Sequence, residues 1–445
     1  MKPFNLFHRR IMGLPLNWRA MLLMSAALLV SCAIAVVTTI QSQQRPAQAA
    51  TALSSAWYNA APYVMPLANN PPSLTAVMSA TGARVFTLAF IVADNGCTPA
   101  WEADSGLIDV SADTQVGPII NAVRAAGGDV VVSFGGYNGT KLGQVCGTAQ
   151  ATAAAEQAVI NKYGLRAIDL DLEEPEYENA SAINNELAAA QILQANNPGL
   201  LITITLPGTT SGTGYFGQQL LNTAHSLGYT PSSYSIMPFD GGFNGASSQI
   251  SALQSFHTIL MNTFGWDSAT AYAHEGISSM NGRTDSGEYF YQSDFQTVLS
   301  FVESNHLARF TFWSVNRDRQ CTPPDNNGNL SATCSSVPQN DWDFTRIITQ
   351  FAQAAGGTPP ATPTATPIPT TTATATLPTS TPTPTPTPTS SAGSSCTGVA
   401  PWSPTTAYTG GSKVTYNGYL WQAKWWTYND VPGGPAGVWV QLGPC

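Results

Sequence analysis

From Ala167 to Glu173 the chain reads Ala-Ile-Asp-Leu-Asp-Leu-Glu, so Asp169, Asp171 and Glu173 share one face of a strand while Ile168, Leu170 and Leu172 take the other. Few folds accept such a strand. The leucine face must be buried, and three carboxylates at alternate positions cannot all ionise if their own face is also dry. An open sheet would turn the acids to water. A parallel barrel has no solvated face, so there the same row becomes a ladder of acids climbing to the C-terminal mouth, where barrel active sites lie.

The surrounding chain favours the barrel. From about Ala50, short apolar runs alternate with amphipathic stretches. Strands are expected at Ala61 to Met65, Val85 to Val92, Asp129 to Phe134, Ala167 to Glu173, Leu201 to Leu206, Tyr234 to Phe239, Ala271 to Ile277 and Arg309 to Val315. Helical periodicity fills the gaps over 116–126, 152–163, 180–196, 217–227, 247–262 and 293–305, with a closing helix near 344–354. Strands alternating with helices pair in parallel through right-handed crossovers, and eight such units predict a closed (β/α)8 TIM barrel.

Residues 1–49 read as an export signal. They hold five of the 17 Lys and Arg and none of the 26 acids, and an uncharged run from Ala20 to Ile40 leads to the small-residue site Ala47-Gln48-Ala49. A secreted protein is expected, with an uncleaved outward-facing membrane anchor as the alternative. The remainder then carries 12 bases against 26 acids, a net charge of −14 where the whole chain has −9. That balance argues against nucleic acid as a partner, and a low charge density with many Trp, Tyr, Thr and Asn suits a neutral sugar.

Six cysteines follow the signal. In an exported chain with no Cys-x-x-Cys or His pairing they favour disulfides over a metal, and of the 15 possible connectivities, proximity along the chain and the domain split favour 97–146, 321–334 and 396–445. No metal, cofactor, protein partner or oligomer is expected. The barrel is expected over 50–356. Residues 357–395 form a Pro/Thr-rich spacer and 396–445 a small all-β module stapled by its own disulfide. The module has more aromatic residues than so small a core can use. Trp402 and Trp421 are expected inside it, and Trp425, Trp426 and Trp439 on a sugar-stacking surface.

With these residues in view, the barrel resembles the family 18 glycoside hydrolases, the chitinase family. Asp169-Leu170-Asp171-Leu172-Glu173 matches three of the four acids in its fourth-strand signature, and Ser133-Phe134-Gly135-Gly136 its Ser-x-Gly-Gly. Met237-Pro238-Phe239-Asp240 matches its Met-x-Tyr-Asp, and Trp313 its eighth-strand tryptophan. The C-terminal module is similar to carbohydrate-binding modules of family 5/12, which implies chitin and N-acetylglucosamine oligosaccharides as ligands.

The resemblance implies substrate-assisted retaining hydrolysis of β-1,4-N-acetylglucosamine linkages. Glu173 would protonate the glycosidic oxygen, and the sugar's own acetamido carbonyl would attack the anomeric carbon. Asp171 would orient the acetamido group, with Asp169 tuning from below. Trp313, Met237, Phe239, Asp240, Ser133 and Gly135 would bind substrate. Two departures stand out. Arg166 replaces the first signature acid on the outward parity, and Phe239 replaces the tyrosine whose hydroxyl would hold the acetamido oxygen. Glu174 and Glu176 are expected as surface charges on the following loop. An endo-β-N-acetylglucosaminidase, or a chitin-binding lectin-like protein without activity, are the alternative readings.

Overall fold

The computed structural model describes residues 53–355, 396, 398–404, 406–408, 411–423, 427–428, 431–434 and 439–445. The expected signal and Pro/Thr spacer lie outside them. The chain divides into two units, one carrying the large sheet and one the C-terminal strands.

In the first unit eight parallel strands form the barrel: β1 (Tyr63–Val64), β2 (Val85–Asp94), β3 (Asp129–Gly135), β4 (Ala167–Asp171), β5 (Leu201–Pro207), β6 (Ser233–Met237), β7 (Glu275–Met280) and β8 (Arg309–Trp313). The ladder runs β1 through β8 in chain order. Side chains join its two ends. Thr311 Oγ1 of β8 donates to Ala61 O at 2.6 Å and Arg309 to Tyr58 O at 3.2 Å. Asn316, just beyond, accepts from Met65 N and donates to the carbonyls of Met65 and Ala68. An antiparallel hairpin, Thr98–Trp101 and Ile108–Asp109, extends the end of β2.

Local chemistry explains the elements. The helix Ala149–Tyr163 starts at Thr148, whose hydroxyl accepts from Ala151 N, and stops at Gly164 in the left-handed conformation (φ 58) that turns the chain into β4. Asn179 accepts from Ser181 N and Ala182 N to start the helix Ala180–Asn196. Ile168, Leu170 and Leu172 are buried beneath these helices and Arg166 is exposed.

Several expected strands are shifted, three of them for reasons the structure shows. β1 is only Tyr63–Val64, and β4 ends at Asp171, because beyond Leu172 the backbone leaves the ladder and the Glu173 carbonyl accepts from Tyr177 N. The seventh begins at Glu275, not Ala271. Asp267 caps a short helix, Ser268–Tyr272, that takes up the apolar residues assigned to the strand start.

The last helix, Asp343–Ala354, begins on a buried carboxylate. Asp318 accepts from Phe344 N, Thr345 N, Thr345 Oγ1 and Gln339 Nε2, and burial still pushes its carboxyl up to about 6. Asp318→Ala leaves these donors without an acceptor and is expected to cost about 3 kcal/mol. Denaturant unfolding measures this, and a change below about 1 kcal/mol would show that the cap contributes little.

Disulfides join Cys97 to Cys146, Cys321 to Cys334 and Cys396 to Cys445, as the spacing predicted. In the second unit, Lys413–Tyr416, Tyr419–Ala423 and Trp439–Pro444 form an antiparallel sheet. Its core is Val414, Ala423 and Trp439, with Trp402, Tyr408 and Trp421 against it. Trp439 is 5% exposed, so it fills the core and offers no ring to a ligand. That corrects its assignment as a binder. A module this small needs a large side chain at its centre, and Tyr408 meets Trp439 edge-on at 5.3 Å. Trp425 and Trp426 lie outside the described residues.

Candidate active site

The site is built upward from Asp169, which is fully buried inside the barrel. Its Oδ2 accepts from Tyr63 OH of β1 at 2.9 Å and Ser133 Oγ of β3 at 2.6 Å, and its Oδ1 from Thr205 Oγ1 of β5 at 2.7 Å. Arg309 of β8 approaches to 3.9 Å. Asp171 lies two residues higher and is also buried, but its Oδ1 has no hydrogen-bond partner among the described residues. Burial, then Glu173 and Asp169, hold its carboxyl well above the usual range, against Lys141 and Arg309. Glu173 stands past the strand end, partly exposed. Burial and the neighbouring Glu174 raise it to about 7, Asp240 and Asp285 add to the rise, and Lys141 opposes it. The ladder thus runs from a fully satisfied carboxylate to a carboxyl poised near neutrality.

Asp171 and Glu173 open into a cleft of about 890 Å³ that Met237, Phe239, Asp240 and Trp313 also line. Trp313 stacks on Phe90 (centroids 5.4 Å apart, planes 13° apart), with Tyr63 tilted against both. Tyr137 and Tyr215, 69% and 72% exposed, stand on the lining after β3 and β5. Ser133 and Gly135 were expected to touch substrate, yet neither lines this cleft. Ser133 is fully buried with its hydroxyl on Asp169. Gly135 has φ 109, and a Cβ there would fall 2.0 Å from Asp171 O, so the glycine lets β3 pass close against the acid strand.

Sequence reasoning missed three features. Asp240 has φ 56, and the turn it begins is clamped by Glu288, whose carboxylate accepts from the N–H groups of Asp240, Gly242 and Phe243 at 2.7–2.8 Å. No spacing rule links a glutamate 48 residues downstream to that turn. Asp285 lines the cleft too, and burial and Asp240 raise its carboxyl.

The third feature overturns an expectation. Glu176 is no surface charge: it is 1% exposed and faces Glu186, which in turn faces Glu156, with Gly143 N donating to Glu186 at 2.7 Å. The chain turns inward after Pro175, and the helix Ala180–Asn196 brings Glu186 to meet it. Burial first, and the neighbouring Glu186 next, hold Glu156 and Glu176 well above the ordinary range.

A (β/α)8 barrel with stacked carboxyl groups under an aromatic-floored mouth has counterparts among known proteins. The catalytic domain of the hyperthermophilic chitinase from Pyrococcus furiosus superposes with a TM-score of 0.60 at 25% identity, over 67% of this chain and 96% of that one. The probable bifunctional chitinase/lysozyme of Escherichia coli (strain K12) is 28% identical over 278 residues, 58% of this chain and 30% of that protein. Endochitinase 11 of Metarhizium anisopliae is 26% identical over 281 residues, 58% of this chain and 52% of that protein. The chain thus spans 30% of the length of the first of these curated relatives and 52% of the second. Residues 401–440 match carbohydrate-binding module family 5/12. The likeness to chitinases read from the fourth-strand acids is borne out over the barrel, and the likeness to a family 5/12 module is borne out at the C-terminus.

The glutamate cluster sets a pH dependence of stability. Its folded-state pKa values lie above the unfolded ones, so its contribution is fully present below the unfolded values and is lost as pH rises through the folded ones. Glu156→Gln removes one titrating member. Its melting temperature is expected to fall less steeply than that of the parent as pH rises above the ordinary carboxyl range. Parallel curves in thermal unfolding would remove the cluster from this role.

Proposed function

We propose that this chain is a secreted chitinase that hydrolyses β-1,4-linked N-acetylglucosamine polymers by substrate-assisted, retaining catalysis. The observation that carries the reading is the pairing of Glu173, raised to about 7, with the buried and unpartnered Asp171 Oδ1 on the floor of the same cleft. A buried acceptor without a donor is matched by an incoming N–H, and an acetamido group supplies one. With Asp171 holding that N–H, the acetamido oxygen is directed at the anomeric carbon. Glu173 delivers its proton to the departing oxygen, then removes one from the water that opens the oxazolinium intermediate. Trp313 forms the apolar floor, and Met237, Phe239 and Asp240 the wall.

We read residues 1–49 as the export signal, 50–356 as the catalytic barrel, 357–395 as the spacer and 396–445 as the module that holds the enzyme on insoluble chitin. Three disulfides in the described residues support an oxidising destination. The reading needs no cofactor and no second subunit, so a monomer is expected.

Glu173→Gln is expected to lower release of soluble oligosaccharides at least about 1,000-fold while chitin binding stays unchanged. Turnover near that of the parent would remove Glu173 from its role. Because the acid must be protonated in the free enzyme, kcat/KM on a soluble chromogenic oligomer should hold below about pH 7 and fall about tenfold per unit above it. A limb centred elsewhere would reassign the acid. Trp425→Ala with Trp426→Ala should weaken retention on insoluble chitin and leave soluble turnover intact, as a pull-down alongside the same assay would show.

A further inference from the structure

The wall that Phe239 and Asp240 give the cleft is a turn on the surface, and what holds its shape comes from another part of the chain. Asp240 adopts φ 56, which costs a residue with a side chain free energy unless contacts keep it there. The N–H groups of Asp240, Gly242 and Phe243 converge on the half-buried carboxylate of Glu288: Oε2 accepts from Asp240 at 2.8 Å, and Oε1 from Gly242 and Phe243 at 2.7 Å. Convergent backbone N–H groups of this kind form an anion-binding hollow, and here the anion is a side chain of the same protein.

Glu288 belongs to the connection after β7, where Gly282–Arg283 and Tyr289–Phe290 pair as a hairpin. Thr284 Oγ1 accepts from Glu288 N at 3.2 Å and braces it. The base of the hairpin is fixed in turn, because the Arg317 guanidinium donates to the carbonyls of Asn281 and Arg283, and Arg283 N donates to Ser335 O at 2.8 Å. The contact between the two turns is reciprocal. Asp240 Oδ1 accepts from Ser286 N at 2.6 Å, and Ser286 Oγ donates to Asp240 O at 3.3 Å. Each turn thus gives a carboxylate to the backbone of the other. Phe239, Asp240 and Ser286 line the cleft, whereas Glu288 is not part of that lining among the described residues. The acid strand is held by different bonds, those of Asp169 with Tyr63, Ser133 and Thr205.

We infer that Glu288 is a positioning residue for ligand binding: by clamping residues 240–243 it fixes Phe239 and Asp240 in the cleft wall without touching the ligand. The consequence for a sugar rests on the chitinase reading above. A wall free to move must be ordered each time an oligomer binds, and that ordering weakens binding, whereas a clamped wall is already ordered in the folded protein. The acids on β4 do not depend on the clamp for their place, so its loss acts on KM and spares kcat.

Two variants test this. Glu288→Gln keeps the length but sets an amide donor where N–H groups need an acceptor, and Glu288→Asp keeps the charge on a stem one methylene shorter. In Glu288→Gln, hydrogen exchange at the Asp240, Gly242 and Phe243 amides should quicken about tenfold, KM for a soluble N-acetylglucosamine oligomer should rise about tenfold, and kcat should stay within about threefold. Glu288→Asp should fall between that variant and the parent in both exchange and KM. A lower kcat with KM unmoved is what a generally loosened barrel gives and overturns the inference, as does exchange at those amides left at the parent rate. Should Glu288→Gln fail to fold, a parent-like KM in Glu288→Asp with quickened exchange overturns it equally. Calorimetric titration with the same oligomer separates this inference from the chitinase reading. A parent that binds the oligomer without cleaving it, and binds about tenfold more weakly as Glu288→Gln, keeps the clamp and overturns that reading. A parent that cleaves the oligomer, with KM and exchange unmoved in the variant, does the reverse.

Discussion

Everything at the mouth of this barrel depends on one buried carboxylate. Asp169 is fully buried, and donors from β1, β3 and β5, with the Arg309 guanidinium of β8 nearby, supply what water would. Those strands span the circumference, so one side chain ties the barrel together across its axis. It also leaves Asp171 above it without a share of those donors. A satisfied acid below and an unsatisfied one above, two residues apart on one strand, make the ladder directional.

The acids higher up are shaped by their surroundings as much as by their spacing. Glu173 is held near neutrality by opposed influences from burial, three acids and one lysine. Glu176, three residues on, faces away into a separate carboxyl cluster. The same short loop therefore links Glu173 to the packing of two outer helices.

The fold was legible because its signals are periodic. Alternation at residues 167–173 and helical spacing over 180–196 depend on local geometry that a sequence displays. The aromatic floor and the acid pair were legible through motif order. The shifted seventh strand was not, because alanines such as Ala271 and Ala273 suit a helix turn as well as a strand and only the Asp267 cap decides between them. Glu288 and the partners of Glu176 were hidden for another reason. Each acts through space on residues from other turns, and only the folded chain defines those distances. Trp439 shows the same limit in the small module, where one aromatic must become the core and composition does not say which.

Among the described residues the junction between β8 and β1 carries no strand ladder; instead the side chains of Thr311, Arg309 and Asn316 reach the backbone of residues 58–69. Trp313 from one edge of that seam lies on Phe90 and against Tyr63 from the other. The floor of the cleft is thus a rivet across the most lightly bonded line of the cylinder. A ligand seated on Trp313 would clamp the seam shut, so occupancy of the cleft and resistance of the barrel to unravelling would rise together.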